Sequence, residues 1–318
     1  MRTALVTGVA GQDGTYLARS LRADGWRVVG TVTPGFVAGD PRAVYLGGVE
    51  LRELDLRDAP GIEALVAAIE PDQIYNLAAV SSVGRSWQEP DLTSAVNQSA
   101  VEVLVGAART LRDRTRRDVR LFQASSAEVS GEATASPYAR SKAAAEDVVR
   151  DARARGLTAC IGRLYIHESP LRRSTFVSRK ITRGAAEIAL GRRDRLVLGN
   201  VDIVRDWGNA RDYVEAIRLM AAAEEPVDLP IGTGRPHTLR DLVARAFHAA
   251  GVDDQGRLGQ DPALIRPADT AVLVADPEPA AAALGWRASV TFEQTIDAMV
   301  AADLQRLRSG VEESTDYV

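Results

Sequence analysis

A doubly wound α/β fold, a parallel sheet with a smaller C-terminal α/β lobe, is what this 318-residue chain predicts, on three observations. Short apolar runs alternate with amphipathic stretches of helical period through the first half. A glycine-spaced turn joins the first apolar run to the first amphipathic stretch. The alternation then breaks near residue 168, where helical stretches are separated by loops rich in Arg, Gly, Asp and Pro. Strand and helix repeated in that order imply a parallel sheet with helices on both faces, because parallel neighbours need a crossover between them.

The elements follow in order. TALVT, WRVVGTV, VELRELD, QIYNLAA, VRLFQAS and TACIGRLYI read as strands, from residues 3 to 166. TYLARSLRADG, GIEALVAAIE, DLTSAVNQSAVEVLVGAARTL and YARSKAAAEDVVRDARARG read as the helices between them. Beyond the break, helices are expected near 176–190, 210–223, 239–250 and 291–308. Residues 1–167 are assigned to a dinucleotide-binding domain, and 168–318 mainly to a substrate lobe with some segments returning to the sheet. The terminal RSGVEESTDYV is polar and expected to fray.

Bulk properties narrow the function classes. Hydrophobic residues at 46% and charged residues at 26% are ordinary for a globular protein, and a net charge of −4 gives no reason to expect nucleic acid as a partner. The arginine-rich RTLRDRTRRDVR, residues 109–120, reads as the solvated end of a surface helix. Cys160 is the sole cysteine and lies in an apolar run, so it reads as core filler, and a reducing compartment fits. No window reaches the ~18 apolar residues of a membrane span. A cytoplasmic protein with no membrane partner and no metal site is expected.

TALVTGVAGQDGTYLARSL sets Gly8, Gly11 and Gly14 between the first strand and the first helix. Gly8 permits the tight turn, Gly11 lets backbone approach a pyrophosphate, and Gly14 lets helix and strand touch; the helix N-terminus offers amides to phosphate. This is a Rossmann-like dinucleotide end. Asp55 and Leu56 follow the third strand, where a side chain meets adenine, and Leu77, Ala78 and Ala79 end the fourth strand beside the cofactor crevice. The second strand ends in TVTPG, with neither an acid for a ribose hydroxyl nor an arginine for a 2′-phosphate, so NAD and NADP both remain open.

The stretch ASSAEVSGEATASPYARSK carries the chemistry. Tyr138 and Lys142 stand four apart on a helix and share one face. A tyrosine near pKa ~10 is a poor base at neutral pH, and a neighbouring ammonium favours its phenolate. Ser126, at the end of the fifth strand, can bond the same substrate oxygen. Simple alcohol oxidation does not need the carboxylate of Glu128. Oxidising a sugar carbon to a ketone, however, acidifies the neighbouring C–H. A carboxylate can then remove that proton, the next carbon expels its hydroxyl, and the stored hydride returns. The set points to an internal-redox dehydration.

Several stretches resemble the GDP-mannose 4,6-dehydratases of the extended short-chain dehydrogenase/reductases: GVAGQDGTYLA with its Gln12-Asp13 pair, FQASSAEVSG, HESPLRRSTFVSRKI, LGNVDIVRDWGNARDYVEA and IRPADTAVLVADP, in collinear order from about residue 3 to 305. The resemblance implies a GDP-sugar substrate giving a 4-keto-6-deoxy sugar, NADP as cofactor, and a homodimer or homotetramer. Ser126 stands at the family's catalytic threonine, Glu128 at its base, and Tyr138 with Lys142 at its oxidation pair. Gly8, Gly11, Gln12, Asp13, Gly14, Asp55, Leu56, Leu77, Ala78, Ala79, His167 and Arg172 fall at cofactor positions. Ser81, Val177, Lys180, Asn200, Arg205 and Arg266 fall at the nucleotide-sugar pocket, where Lys180, Arg205 and Arg266 could neutralise a diphosphate.

Departures accompany the likeness. Ala127 stands where the family has serine, Ile166 where it has asparagine, and Ser130 where it has tyrosine. The segment between Gly131 and Pro137 is shorter, and Thr33 and Pro34 replace arginines that contact the NADP phosphate and support tetramers. SSAEVSG also resembles the S-S-A-x-V stretch of sugar epimerases. An epimerase or 4-keto reductase, a dehydratase acting on a GDP-heptose, and a non-catalytic dinucleotide-binding protein are the alternatives.

Overall fold

The computed structural model describes residues 1–318 apart from Ala38, 131–135 and 265–270. In chain order the elements are β1 (Thr3–Thr7), α1 (Gln12–Ala23), β2 (Arg27–Val32), β3 (Glu50–Glu53), α2 (Ala59–Ile69), β4 (Gln73–Asn76), α3 (Val83–Gln88), α4 (Pro90–Ser94) and α5 (Ala100–Thr115). There follow β5 (Arg120–Ser126), α6 (Pro137–Ala154), β6 (Thr158–Leu164), β7 (His167–Glu168), α7 (Val177–Ala189), β8 (Leu196–Leu198), β9 (Val204–Asp206), β10 (Gly208–Asn209) and α8 (Ala210–Ala222). The chain ends with β11 (Asp228–Ile231), β12 (Pro236–Thr238), α9 (Leu239–Ala250), β13 (Leu258–Gln260), β14 (Val272–Leu273), α10 (Glu278–Leu284) and α11 (Phe292–Ser309).

Two compact units emerge. The first comprises Met1–Leu164, Val214–Ile231 and Pro279–Trp286. Its sheet runs β11-β6-β5-β4-β1-β2-β3 with every pairing parallel. Order reverses between β1 and β4, which is where doubly wound sheets leave a crevice outside their strand ends. One face is closed by α2, α5 and α6, whose apolar stripes meet Leu5, Val29, Ile74, Leu121 and Ile161 from the sheet. The predicted fold class is thus observed.

Two features of this unit differ from the expected elements. β11 is a seventh strand carrying Pro230, and it lies at the sheet's edge, where a residue without N–H is tolerated. The stretch expected as one helix over 91–111 is instead α4, a π-turn at Ala95–Ser99, and α5. Arginines at the end of α5 and beyond it are paired with acids: Arg114 and Arg117 with Glu70, Arg117 also with Asp72, and Arg120 with Asp118. Cys160 is buried, and burial pushes its thiol up to about 12.

The second unit comprises Tyr165–Tyr213, Gly232–Glu278 and Arg287–Val318. Here α7, α9 and α11 pack on one another around Ile181, Leu242, Phe247, Ile296 and Met299. Three small sheets surround them, in the orders β10-β7, β12-β9-β14 and β13-β8. A buried cluster fixes the segment after β7. Asp303 accepts from Arg179 at 2.6 Å and Thr182 at 2.8 Å, while Arg179 and Arg306 donate to the Pro170 carbonyl at 3.1 and 2.8 Å. Among the described residues, no helix is long and apolar enough to cross a membrane.

Candidate active site

The glycine turn has the geometry a pyrophosphate cradle requires. Gly8 sits at φ +67°, which side chains rarely adopt, and a Cβ there would stand 2.8 Å from Ala78 Cα. The backbones ending β1 and β4 therefore touch. On Gly14 a Cβ would meet the Gly8 carbonyl at 2.5 Å and Val9 Cα at 2.6 Å, so helix packs on strand without intervening atoms. Gly11 caps α1 with no side-chain acceptor, which leaves the positive end of the helix available to an anion. Gln12 Nε2 donates to Asp13 Oδ1 at 3.3 Å beside it. A bare cradle opening on a helix N-terminus fits a dinucleotide.

Behind the cradle runs a buried polar chain. Thr7 Oγ1 accepts from the Leu77 and Ala78 amides, both at 3.1 Å, and donates to Asn76 Oδ1 at 2.6 Å. Asn76 Nδ2 donates to Gln123 Oε1 at 2.8 Å, and Gln123 Nε2 to the Ala124 carbonyl at 2.9 Å. That carbonyl also accepts from Lys142 Nζ at 2.8 Å. Ala79 is half-buried beside these strand ends. Asp55 turns to Arg57, whose guanidinium holds its carboxyl down at about 2, and Leu56 packs against the core.

Ser126, Glu128, Tyr138 and Lys142 all lie in this first unit, on consecutive elements. Ser126 ends β5, and its Oγ accepts from the Glu128 amide at 3.2 Å across a 3-10 turn, Ala127–Ser130. Glu128 is half-buried; Ala127 is buried. α6 starts with Ser136 capping Ala139 at 3.0 Å and Pro137 in the first turn. The Tyr138 amide donates to Ser86 Oγ at 3.2 Å. Lys142 Nζ lies 6.0 Å from the centre of the Tyr138 ring. Burial drives the Lys142 ammonium down to about 8, against the opposing charge of Glu146.

Lysine occurs at just two positions in the chain, 142 and 180, among 39 basic residues. Arginine cannot release its proton near neutral pH, whereas a buried lysine can. The retention of lysine at 142 therefore has a chemical reason.

Sequence reasoning missed several groups at this site. Asn97, turned inward by the π-turn, accepts from the Val80 amide at 2.8 Å and donates to the Ser141 hydroxyl at 3.1 Å, tying the strand end to α6. Arg42 is the second. It forks onto Asp40 at 2.8 and 2.5 Å, and its Nη1 lies 3.5 Å from the Ala10 carbonyl of the glycine turn. The expected arginine is absent at the end of β2, but ten residues on the chain returns one to the turn. Ser81 is exposed just past β4.

The remaining candidates lie in the second unit. His167 stacks on Tyr213 at 4.4 Å and its Nδ1 faces the Tyr165 carbonyl at 2.7 Å. Arg172 forks onto the buried Glu168 at 2.6 and 3.2 Å and donates to the His167 carbonyl at 2.7 Å. Val177 and exposed Lys180 share the first turn of α7. Asn200 is exposed and accepts from the Asp202 amide, while Arg205 is buried in β9, the middle strand of its sheet. Ile166 packs against the unit's core, consistent with an apolar residue there. Arg266, residues 131–135 and the Ser130 side chain lie outside the described residues.

Comparisons with known proteins agree with this geometry. A family profile described as GDP-mannose 4,6 dehydratase matches residues 5–299. The chain is 37% identical to GDP-mannose 4,6 dehydratase 2 of Arabidopsis thaliana, over 96% of this chain and 87% of that one. It is 35% identical to a GDP-mannose 4,6-dehydratase of Vibrio cholerae, over 97% and 95%. Its fold matches a UDP-glucose 4-epimerase of Thermus thermophilus in complex with NAD at a TM-score of 0.80, with 28% identity over 96% and 99%. With its glycine cradle and the Ser126, Glu128, Tyr138 and Lys142 set in place, the chain belongs to the GDP-mannose 4,6-dehydratase family.

Proposed function

We propose that this protein is a GDP-sugar 4,6-dehydratase that turns a GDP-mannose-like substrate into a GDP-4-keto-6-deoxy sugar. The observation that carries the reading is a carboxylate, Glu128, set one short turn from Ser126 on the strand end that also anchors Lys142. A simple dehydrogenase has no use for it. The Gly8–Gly14 turn and Thr7-held amides would hold a nicotinamide dinucleotide, which, when bound, stores the hydride taken from C4 until it is delivered to C6.

The chain's own groups do the proton work. Tyr138, held as phenolate by the Lys142 ammonium, removes the O4 proton while Ser126 donates to that oxygen. Glu128 removes the C5 proton, now acidic beside the 4-ketone. With Ala127 unable to donate, the protonated Glu128 hands that proton to the departing C6 hydroxyl, which leaves as water; C5 then regains a proton from solvent through Glu128, balancing the one that Tyr138 took from O4 and releases. All three steps act on one immobilised ring, which makes them effectively unimolecular. Ser81, Val177, Lys180, Asn200, Arg205 and Arg266 are the groups proposed to line the nucleotide-sugar pocket, where Lys180, Arg205 and Arg266 neutralise the diphosphate, with His167 and Arg172 serving the cofactor. A cytoplasmic homodimer or homotetramer completes the reading.

NADP is the proposed cofactor, on the strength of Arg42 beside the glycine turn. Arg42→Ala should weaken NADP binding relative to NAD by roughly tenfold or more, the loss of one charged fork. An unchanged ratio of dissociation constants would mean that Arg42 serves Asp40 alone and would overturn the NADP assignment.

The deciding experiment is incubation with GDP-, UDP-, dTDP- and ADP-sugars and weighing of products. Loss of one water from a GDP-sugar with no added reductant is expected. Ala127 favours a second reading, an epimerase or 4-keto reductase; the first would leave mass unchanged, and the second would consume reduced cofactor stoichiometrically.

A further inference from the structure

Four residues past Lys142, on the same face of α6, stands Glu146, a side chain with 1% exposure. A carboxylate so buried must be paired, and this one is paired from three elements. Arg163 of β6 forks onto it at 2.9 and 2.7 Å, Arg150 of α6 at 2.5 Å, and Ser125 of β5 donates at 2.6 Å. Ser125 lies between Ala124, whose carbonyl accepts from Lys142 Nζ at 2.8 Å, and Ser126. One carboxylate thus grips the strand on which both sit.

Resting on the reaction proposed above, we propose that Glu146 is a positioning residue. Its buried charge keeps Lys142 an ammonium, its bond to Ser125 fixes the strand end, and together they set the pH window in which Tyr138 works as a phenolate.

The charges around the pair are these. Lys142 meets Tyr138 and Glu146 on its own helix and the Ala124 carbonyl of β5. Glu146 meets Arg150 and Arg163, and Arg150 is shared with Asp147 of α6 and Asp228 of β11. The 3-10 turn packed on α6 brings Glu128. From α3 and the π-turn, the groups bonded to this end of α6 are neutral, Ser86 and Asn97. Burial lowers the Lys142 ammonium and the Glu146 charge opposes that fall. Glu146 itself is disfavoured by burial, yet Arg163, Ser125 and Arg150 together hold it below the ordinary carboxylate range, so it stays charged wherever the enzyme works.

The sign follows. Without the charge of Glu146, Lys142 loses its proton at a lower pH; on the acid side Lys142 is protonated either way, and removing an anion does not raise the pH at which Tyr138 ionises. The alkaline limb of kcat therefore moves to lower pH, and the acid limb does not rise to meet it.

The test uses the full chain with cofactor bound. In Glu146→Gln, which keeps the side-chain shape, the alkaline limb should fall by about one pH unit, the low end for a nearby opposite charge, with no rise of the acid limb. Glu146→Asp should restore the alkaline limb. A Glu146→Gln enzyme whose activity falls equally at every pH, with wild-type limbs, overturns the proposal, because loss of a purely structural pair would do that. Should Glu146→Gln fail to fold, Arg163→Met gives the same test with opposite sign: Glu146, still paired with Arg150, carries less counter-charge, so the alkaline limb rises, and an unmoved alkaline limb overturns the proposal. Tyrosinate absorbance, taken as the difference from Tyr138→Phe, reads the Tyr138 titration without turnover. A shifted titration in a protein that dehydrates no GDP-sugar would therefore sink the reaction and leave the role of Glu146 standing.

Discussion

Glu128→Gln should lower dehydration by roughly a hundred- to ten-thousandfold, the range that a positioned general base contributes, while leaving cofactor binding as in wild type. The substitution removes the proposed proton acceptor and keeps the shape of the side chain. The Glu128 amide keeps its 3.2 Å bond to Ser126. Oxidation at C4 does not require the carboxylate, so mixing with GDP-sugar should still reduce the bound nicotinamide. Its reduced-form absorbance should then persist, because elimination no longer drains it. In deuterated water the wild-type enzyme should place deuterium at C5, and the variant should not. Dehydration at the wild-type rate would remove Glu128 from the reaction.

Tyr138→Phe should give a loss of similar size, about a thousandfold, with the opposite intermediate signature. The ring is almost fully buried and its backbone is held through Ser86 and the Ser136 cap, so phenylalanine fits the same space. What disappears is the oxygen proposed to accept the O4 proton. No reduced nicotinamide should accumulate, since oxidation itself is blocked. The two variants separate the chemistry on either side of the ketone, and an absorbance rise in Tyr138→Phe equal to that in Glu128→Gln would refute the division of labour. Stopped-flow absorbance distinguishes them in one sitting.

Much of the fold was legible because its signals are local. Alternating runs of the right length announced six strands, and three glycines in seven residues announced the first turn. The seventh strand escaped because Pro230 interrupts DLPI, which reads as a loop until a neighbouring β6 supplies its pairing. The π-turn escaped because an added residue in a helix leaves apolar spacing nearly intact while rotating Asn97 inward.

The same distinction holds at the site. Ser126, Glu128, Tyr138 and Lys142 fall on one strand end, one turn and one helix start, and so could be read together. The chain from Thr7 through Asn76 to Gln123 joins residues 69 and 47 positions apart. Asp40 with Arg42 meets the glycine turn only after 32 residues have folded back. No spacing rule reaches such partners, because they are chosen by the strand order of the sheet.

The near-total replacement of lysine by arginine has a practical side. Amine-directed reagents acylate unprotonated, accessible nitrogen, and the native chain offers them the exposed Lys180 and the terminal amine, with Lys142 enclosed at 4% exposure. Biotinylation, dye coupling or immobilisation through amines would therefore fall partly on α7's first turn, where the diphosphate is proposed to rest. Any surface attachment meant to preserve turnover is better made through an introduced cysteine, the native thiol being sealed in the core.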